Sequence, residues 1–283
     1  MQKVKIITDS SCDLDLGYLG ELSVDMSPLV TILEDGEFLD RVEMGPEEFY
    51  NKLKNVKKIP TTSQASPASF KKQFEDALNN DMEVFCIAFS SKLSGTYQSA
   101  LIAKEMLDNN EKIEVIDSLC ASVGQGLLVE KAALMAKEGK SRVEISSAIQ
   151  EMASKMEHLI AVGSLEMLKM GGRISSSQAA IGSLLNVKPI LQIVEGAIQP
   201  LEKCRGKKGV IKKLVQLIEE RGEDITNARI GLSYSQDRDF ANEVAEELKT
   251  KLGVENILIT EIGSVIGSHV GPATVNLCFV GNK

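Results

Sequence analysis

Residues 84–110 read VFCIAFSSKLSGTYQSALIAKEMLDNN. Val84–Phe89 is a short apolar run of strand length, while Gly95–Asn109 carries Tyr97, Leu101, Lys104 and Glu105 at helical spacing. Between them lies a hydroxyl-rich turn, Ser90-Ser91-Lys92-Leu93-Ser94-Gly95-Thr96-Tyr97. The pattern is strand, turn, helix, and it recurs. Val4–Thr8 and Ile113–Asp117 read as strands, Pro67–Asn79 and Gly124–Lys137 as helices. Repeats of this unit predict a parallel sheet covered by helices. Asp35-Gly36 predicts a hairpin between Leu29–Leu33 and Glu37–Leu39, followed by a small helix at Pro46–Asn55.

From about Leu159 the pattern changes. Ile160–Gly163 reads as a strand and Leu165–Leu185 as helical pieces broken by Gly171-Gly172 and Gly182. Pro189–Val194 and Ala197–Lys203 flank Glu195-Gly196 as a hairpin. Helices at Lys207–Glu220 and Arg238–Leu252, with strands Ile230–Tyr234, Ile257–Ile262 and Val275–Val280, complete a mixed sheet. The expectation is a two-domain α/β chain: residues 1–157 with a parallel sheet, residues 158–283 with a mixed one. Ligands favour the cleft between such units.

A length of 283 residues suits two packed domains, and 43% hydrophobic with 25% charged residues is ordinary globular composition. The net charge is -8 and the basic residues are scattered, which argues against a nucleic-acid partner. Eight Phe, four Tyr and no Trp leave little to stack bases or sugars on, so aliphatic residues and ten Met must line any cavity. The five cysteines (12, 86, 120, 204 and 278) form no CxxC pair, so reduced structural thiols in a cytoplasmic protein are expected, with no metal site. The start MQKVKIITDSS does not read as a signal peptide, and no apolar run reaches the roughly 20 residues that span a bilayer.

Five polar clusters interrupt the apolar pattern. Thr8-Asp9-Ser10-Ser11-Cys12-Asp13 follows the first strand, either capping a helix or sitting at the ligand-binding edge of a parallel sheet. Pro60–Pro67 is dense in hydroxyls and precedes a helix, where caps and anion sites share the same free amides. In the third cluster Ser94, Gly95 and Thr96 open a helix whose N-terminus favours a negative group. It is neither a Walker A loop nor a GxSxG elbow. Met170–Ser175 and Gly267–Pro272 are the others. Of the two histidines, His269 stands among glycines in what reads as a turn, while His158 reads as a dipole contact at a helix end.

Six segments, TDSSCDL (8–14), TTSQAS (61–66), SSKLSGTYQSA (90–100), KMGGRIS (169–175), KCRGKKG (203–209) and IGSHVGPATV (266–275), together resemble the DegV family in order and across nearly the whole chain. Ala65 departs from the pattern, since family members commonly carry Pro after the TSQ. The resemblance implies a two-domain α/β fold that encloses a long-chain fatty acid between its domains. It also implies a cytoplasmic, bacterial lipid-binding subunit without catalysis or cofactor of its own. Such a subunit presents the acyl carboxylate to a separate ATP-dependent fatty-acid kinase catalytic subunit, and the acyl phosphate feeds phospholipid synthesis. Carried over by motif, Thr62, Ser94 and His269 hold the carboxylate, with Ser63, Gly95 and Thr96 nearby. Arg173 and Arg205 fall to partner or phosphate handling. Two other readings stay open on the residues: a serine hydrolase using Ser94 with His269 as base and Asp9 as a loose third member, and a small-molecule kinase, disfavoured by the missing phosphate loop.

Overall fold

In the computed structural model, residues 3–179 and 187–282 are described. The chain opens with β1 (Val4–Asp9), α1 (Leu16–Leu22), β2 (Asp25–Ser27), β3 (Val30–Leu33), β4 (Gly36–Leu39), α2 (Pro46–Leu53) and β5 (Thr61–Ser63). It continues through α3 (Pro67–Asn79), β6 (Glu83–Ala88), α4 (Thr96–Glu105), β7 (Ile113–Asp117), α5 (Val123–Lys137) and α6 (Arg142–Lys155). Then come β8 (Met156–Ala161), α7 (Glu166–Met170), α8 (Ser176–Ala179), β9 (Val187–Val194), β10 (Ala197–Arg205) and α9 (Gly206–Arg221). The last elements are β11 (Ile230–Tyr234), α10 (Arg238–Leu252), β12 (Ile257–Glu261), α11 (Ser264–Val270) and β13 (Val275–Val280).

Four strands form a parallel sheet in the order β2-β1-β6-β7, and six form a mixed sheet in the order β10-β9-β8-β13-β11-β12. Within the second, only β11 and β12 run parallel. The α/β fold with a parallel and a mixed sheet is therefore as the sequence indicates. Local chemistry explains the helix starts. Ser66 accepts the Ser69 amide ahead of Pro67, and Ser141 with Glu144 closes a capping box on α6.

The helix α5 is apolar almost all round because it lies between the two sheets. Its two glycines answer to that crowding. A Cβ at Gly126 would come within 2.8 Å of the Cys12 carbonyl, and one at Gly124 within 2.2 Å of the His158 ring.

Several readings need correction. Of Ile160–Gly163, only Ile160 and Ala161 are strand, and they end a strand, β8, that starts at Met156. His158 therefore sits inside a buried strand and not at a helix end; Glu157 and His158 broke the apolar run that marks a strand. Thr61–Ser63, read as a capping segment, is a strand that pairs with β3 in a small antiparallel sheet, β4-β3-β5. The helix read to Asn109 stops at Glu105. Of the helical pieces read over Leu165–Leu185, α7 and α8 are present, and residues 180–186 lie outside the described residues.

Candidate functional site

A cavity of about 230 Å³ is walled by side chains from the mixed sheet, from the small antiparallel sheet and from the connections that follow β2 and β6. Most of its surface is apolar, with Leu29, Leu93, Ile160, Ile193, Ile198 and Ile266 in the wall. These side chains belong to one continuous apolar cluster, so the cavity is a gap in the core and not a surface dent.

Its polar lining takes part in two hydrogen-bonded pairs. Thr62 Oγ1 and His269 Nε2 stand 2.8 Å apart, and Ser94 Oγ and Thr96 Oγ1 stand 2.9 Å apart. Ser94 Oγ also takes the Thr96 amide at 3.2 Å, which turns the chain into α4 at Gly95. The first pair comes from elements far apart in sequence. Thr62 on β5 faces Thr31 on β3, whose hydroxyl meets Ser264 at the start of α11, 2.7 Å away. Asp40 accepts both the amide and the hydroxyl of Ser264. Thus α11 is fixed at its first residue, and His269 lies in its last turn, a helical position where the sequence suggested a loop.

The structure brings Thr62, Ser63, Ser94, Gly95, Arg173 and His269 to one cavity, with Thr96 bonded to Ser94 behind them. Arg205 is elsewhere. It is exposed where β10 passes into α9 and lines no part of the cavity. Arg173, half-buried, donates to the carbonyls of Leu93 and Gly171 and has no carboxylate partner among the described residues. Sequence reading missed five polar wall residues: Gln64, Ser122, His158, Thr274 and Asn276. Alternation along β13 and β8, had β8 been read from Met156, places His158, Ile160 and Asn276 on one sheet face.

The Thr8–Asp13 cluster is a hub behind the cavity and not part of its wall. Asp9 takes the amides of Phe89 and Ser11, Ser10 takes that of Leu29, and Asp13 that of Gly263. Phe89 and Leu29 line the cavity, so the cluster sets the loops that shape it.

The charge states follow from burial. His269 is pushed down to about 4, by burial first and by the nearby Arg173 charge second. Burial lowers His158 likewise to about 4. Both imidazoles are neutral at pH 7. A histidine whose folded value lies below its unfolded 6.5 stabilises the fold above that pH and loses the contribution as pH falls toward 4. Asp9, raised by burial to about 6, works oppositely: its contribution is full below 3.8 and lost as pH rises through about 6. For His158 the change between pH 7 and pH 4 amounts to about 3 kcal/mol. Chemical denaturation at the two pH values should therefore give a smaller acid loss, by about that amount, in His158→Asn than in the parent.

The hydrolase arrangement does not assemble. Among the described residues no hydrogen bond joins Ser94 to His269, and His269 Nδ1 is buried without a partner. Asp9 is engaged by Ser11, Phe89 and Gln125.

The family described as "Uncharacterised protein, DegV family" matches residues 3–282. The chain belongs to the DegV family. A DegV domain-containing protein of Clostridium perfringens is 40% identical, over 100% of this chain and 99% of its own. A solved DegV family protein from Thermus thermophilus, described for its fatty acid binding, superposes with a TM-score of 0.91 at 33% identity, covering 98% of this chain and 99% of that one. A stearic acid-binding protein from Eubacterium ventriosum reaches a TM-score of 0.87 at 28% identity, covering 98% of each chain. Fatty-acid binding thus recurs among DegV structures, and Thr62, Ser63, Ser94, Arg173 and His269 line the cavity of a DegV fold.

Proposed function

We propose that this DegV protein encloses one long-chain fatty acid in the cavity between its sheets, with the carboxylate held by Thr62, Ser94 and His269. The carrying observation is the cavity itself: an aliphatic gap in the core whose polar lining offers neutral hydroxyl and imidazole groups, with Arg173 beside them lacking a carboxylate partner among the described residues. Hydroxyl and imidazole donors orient a carboxylate without burying it in a salt bridge. One of its oxygens then stays open to a phosphoryl donor.

The chain acts in the cytoplasm as the binding subunit for a separate ATP-dependent fatty-acid kinase, which forms the acyl phosphate for phospholipid synthesis. Arg205, exposed and away from the cavity, belongs to the surface that meets that partner, and Arg173 stands where the carboxylate would be reached.

Native mass spectrometry of the purified chain, followed by organic extraction, tests the first part. One C14–C18 fatty acid per chain is the expected result. A mass that stays at the bare chain value after incubation with several fatty acids overturns it. For the second part, chain, kinase subunit and ATP together should yield an acyl phosphate that hydroxylamine traps as a hydroxamate. Equal yield without the chain would rule out presentation.

A further inference from the structure

We propose that Gln64 is the positioning residue that joins the two halves of the carboxylate site, an inference that rests on the fatty-acid reading above. One half is Thr62 with His269, carried by β5 and α11; the other is Ser94, Gly95 and Thr96, at the start of α4. Among the described residues no hydrogen bond joins the two halves directly. Gln64 follows β5 by one residue, and its Nε2 donates to Ser99 Oγ at 2.7 Å, inside α4. Ser99 is fully buried, so the anchor is fixed.

The same amide lies against Gly95. A Cβ at that position would sit 2.0 Å from Gln64 Oε1 and 2.8 Å from its Cδ. Gly95 has φ -76°, a conformation open to any residue, so glycine is needed there for space and not for its backbone freedom. Gln64 therefore sets how far β5 stands from the α4 N-terminus, which is the gap a carboxylate must bridge. Binding sites need their groups within about 0.5 Å of the productive geometry, and that tolerance requires such a tie.

The test compares hexadecanoate with hexadecanol, which shares the tail and lacks the carboxylate. Displacement affinities are measured for the parent, Gln64→Ala, Gly95→Ala and the double variant. Gln64→Ala should cut the preference for acid over alcohol about tenfold and leave the alcohol affinity alone. Gly95→Ala should do the same by evicting the amide, and the double variant should be no worse than either single one. Ser99→Ala, which removes the anchor without adding bulk, should follow Gln64→Ala if Gly95→Ala folds poorly.

An unchanged acid preference in Gln64→Ala and Ser99→Ala overturns the inference. So do losses that add in the double variant, or that fall equally on acid and alcohol as a general structural role would make them. A parent protein that prefers neither ligand overturns the fatty-acid reading itself, which is a different result.

Discussion

Replacing Arg41 with Met should lower the unfolding free energy by about 3–5 kcal/mol at neutral pH. Arg41 lies almost wholly inside the protein, 2.9 Å from Asp13, and also donates to the Glu261 carbonyl. Burial works against its charge, yet the carboxylates of Asp13 and Asp40 hold it firmly protonated. Asp13 is fully buried, and burial raises its carboxyl even with Arg41 and the Ser122 and Gly263 donors beside it. Methionine keeps the stem of the side chain and leaves the carboxylate without its cation. The penalty is that of an uncompensated buried charge, much larger than that of an exposed pair.

The pH dependence of the deficit separates this cause from lost packing. Without Arg41 the folded value of Asp13 rises further above its unfolded 3.8. A carboxyl raised in this way costs nothing while protonated, so the deficit should shrink as pH falls toward 4. A packing defect would be insensitive to pH. Urea unfolding of parent and variant at pH 7 and pH 4.5 decides between them, and a deficit under about 1 kcal/mol at pH 7 would show that the pair contributes no more than a surface one. Function should suffer as well, because Asp13 holds Gly263 just ahead of the helix that carries His269.

How far the sequence alone reached can be seen in these same residues. Strong apolar runs and turn residues placed β1, β6, β7 and the β9–β10 hairpin, because period and punctuation are local signals. Thr61–Ser63 gave no such signal. Its strand exists because β3 offers a partner, a tertiary fact that overrides a hydroxyl-rich composition. The motifs named six residues that line one cavity, but could not say that Thr62 and His269 touch across 207 positions. Arg205 was grouped with Arg173 by charge and motif, and only the fold separates an exposed helix start from a cavity wall. Gln64 carried no special mark, since its role depends on the space above Gly95.

Affinity should climb about fourfold for each methylene added to the ligand, and so about 200-fold from dodecanoate to hexadecanoate. The reasoning is that of burial. Each methylene removed from water into an aliphatic wall contributes about 0.8 kcal/mol, and four of them sum to about 3 kcal/mol. The polar lining cannot produce such a slope, since it meets the same carboxylate in every member of the series. Its own contribution is smaller, about 1 kcal/mol for each hydrogen bond exchanged with water, which makes Ser94→Ala a change of less than about tenfold. Displacement of a fluorescent fatty acid by saturated acids of even chain length measures the ladder directly. Slope and intercept then report separate parts of the molecule: the slope belongs to the aliphatic wall, and Ser94→Ala should shift the whole line without tilting it. The ladder must also end. Once the tail fills the space bounded by Ile160, Ile193 and Ile198, a further carbon has to displace a core side chain, and overpacking costs about 1–3 kcal/mol. A response that is flat from octanoate to hexadecanoate would mean that the tail lies outside the core, and enclosure between the two sheets would be wrong.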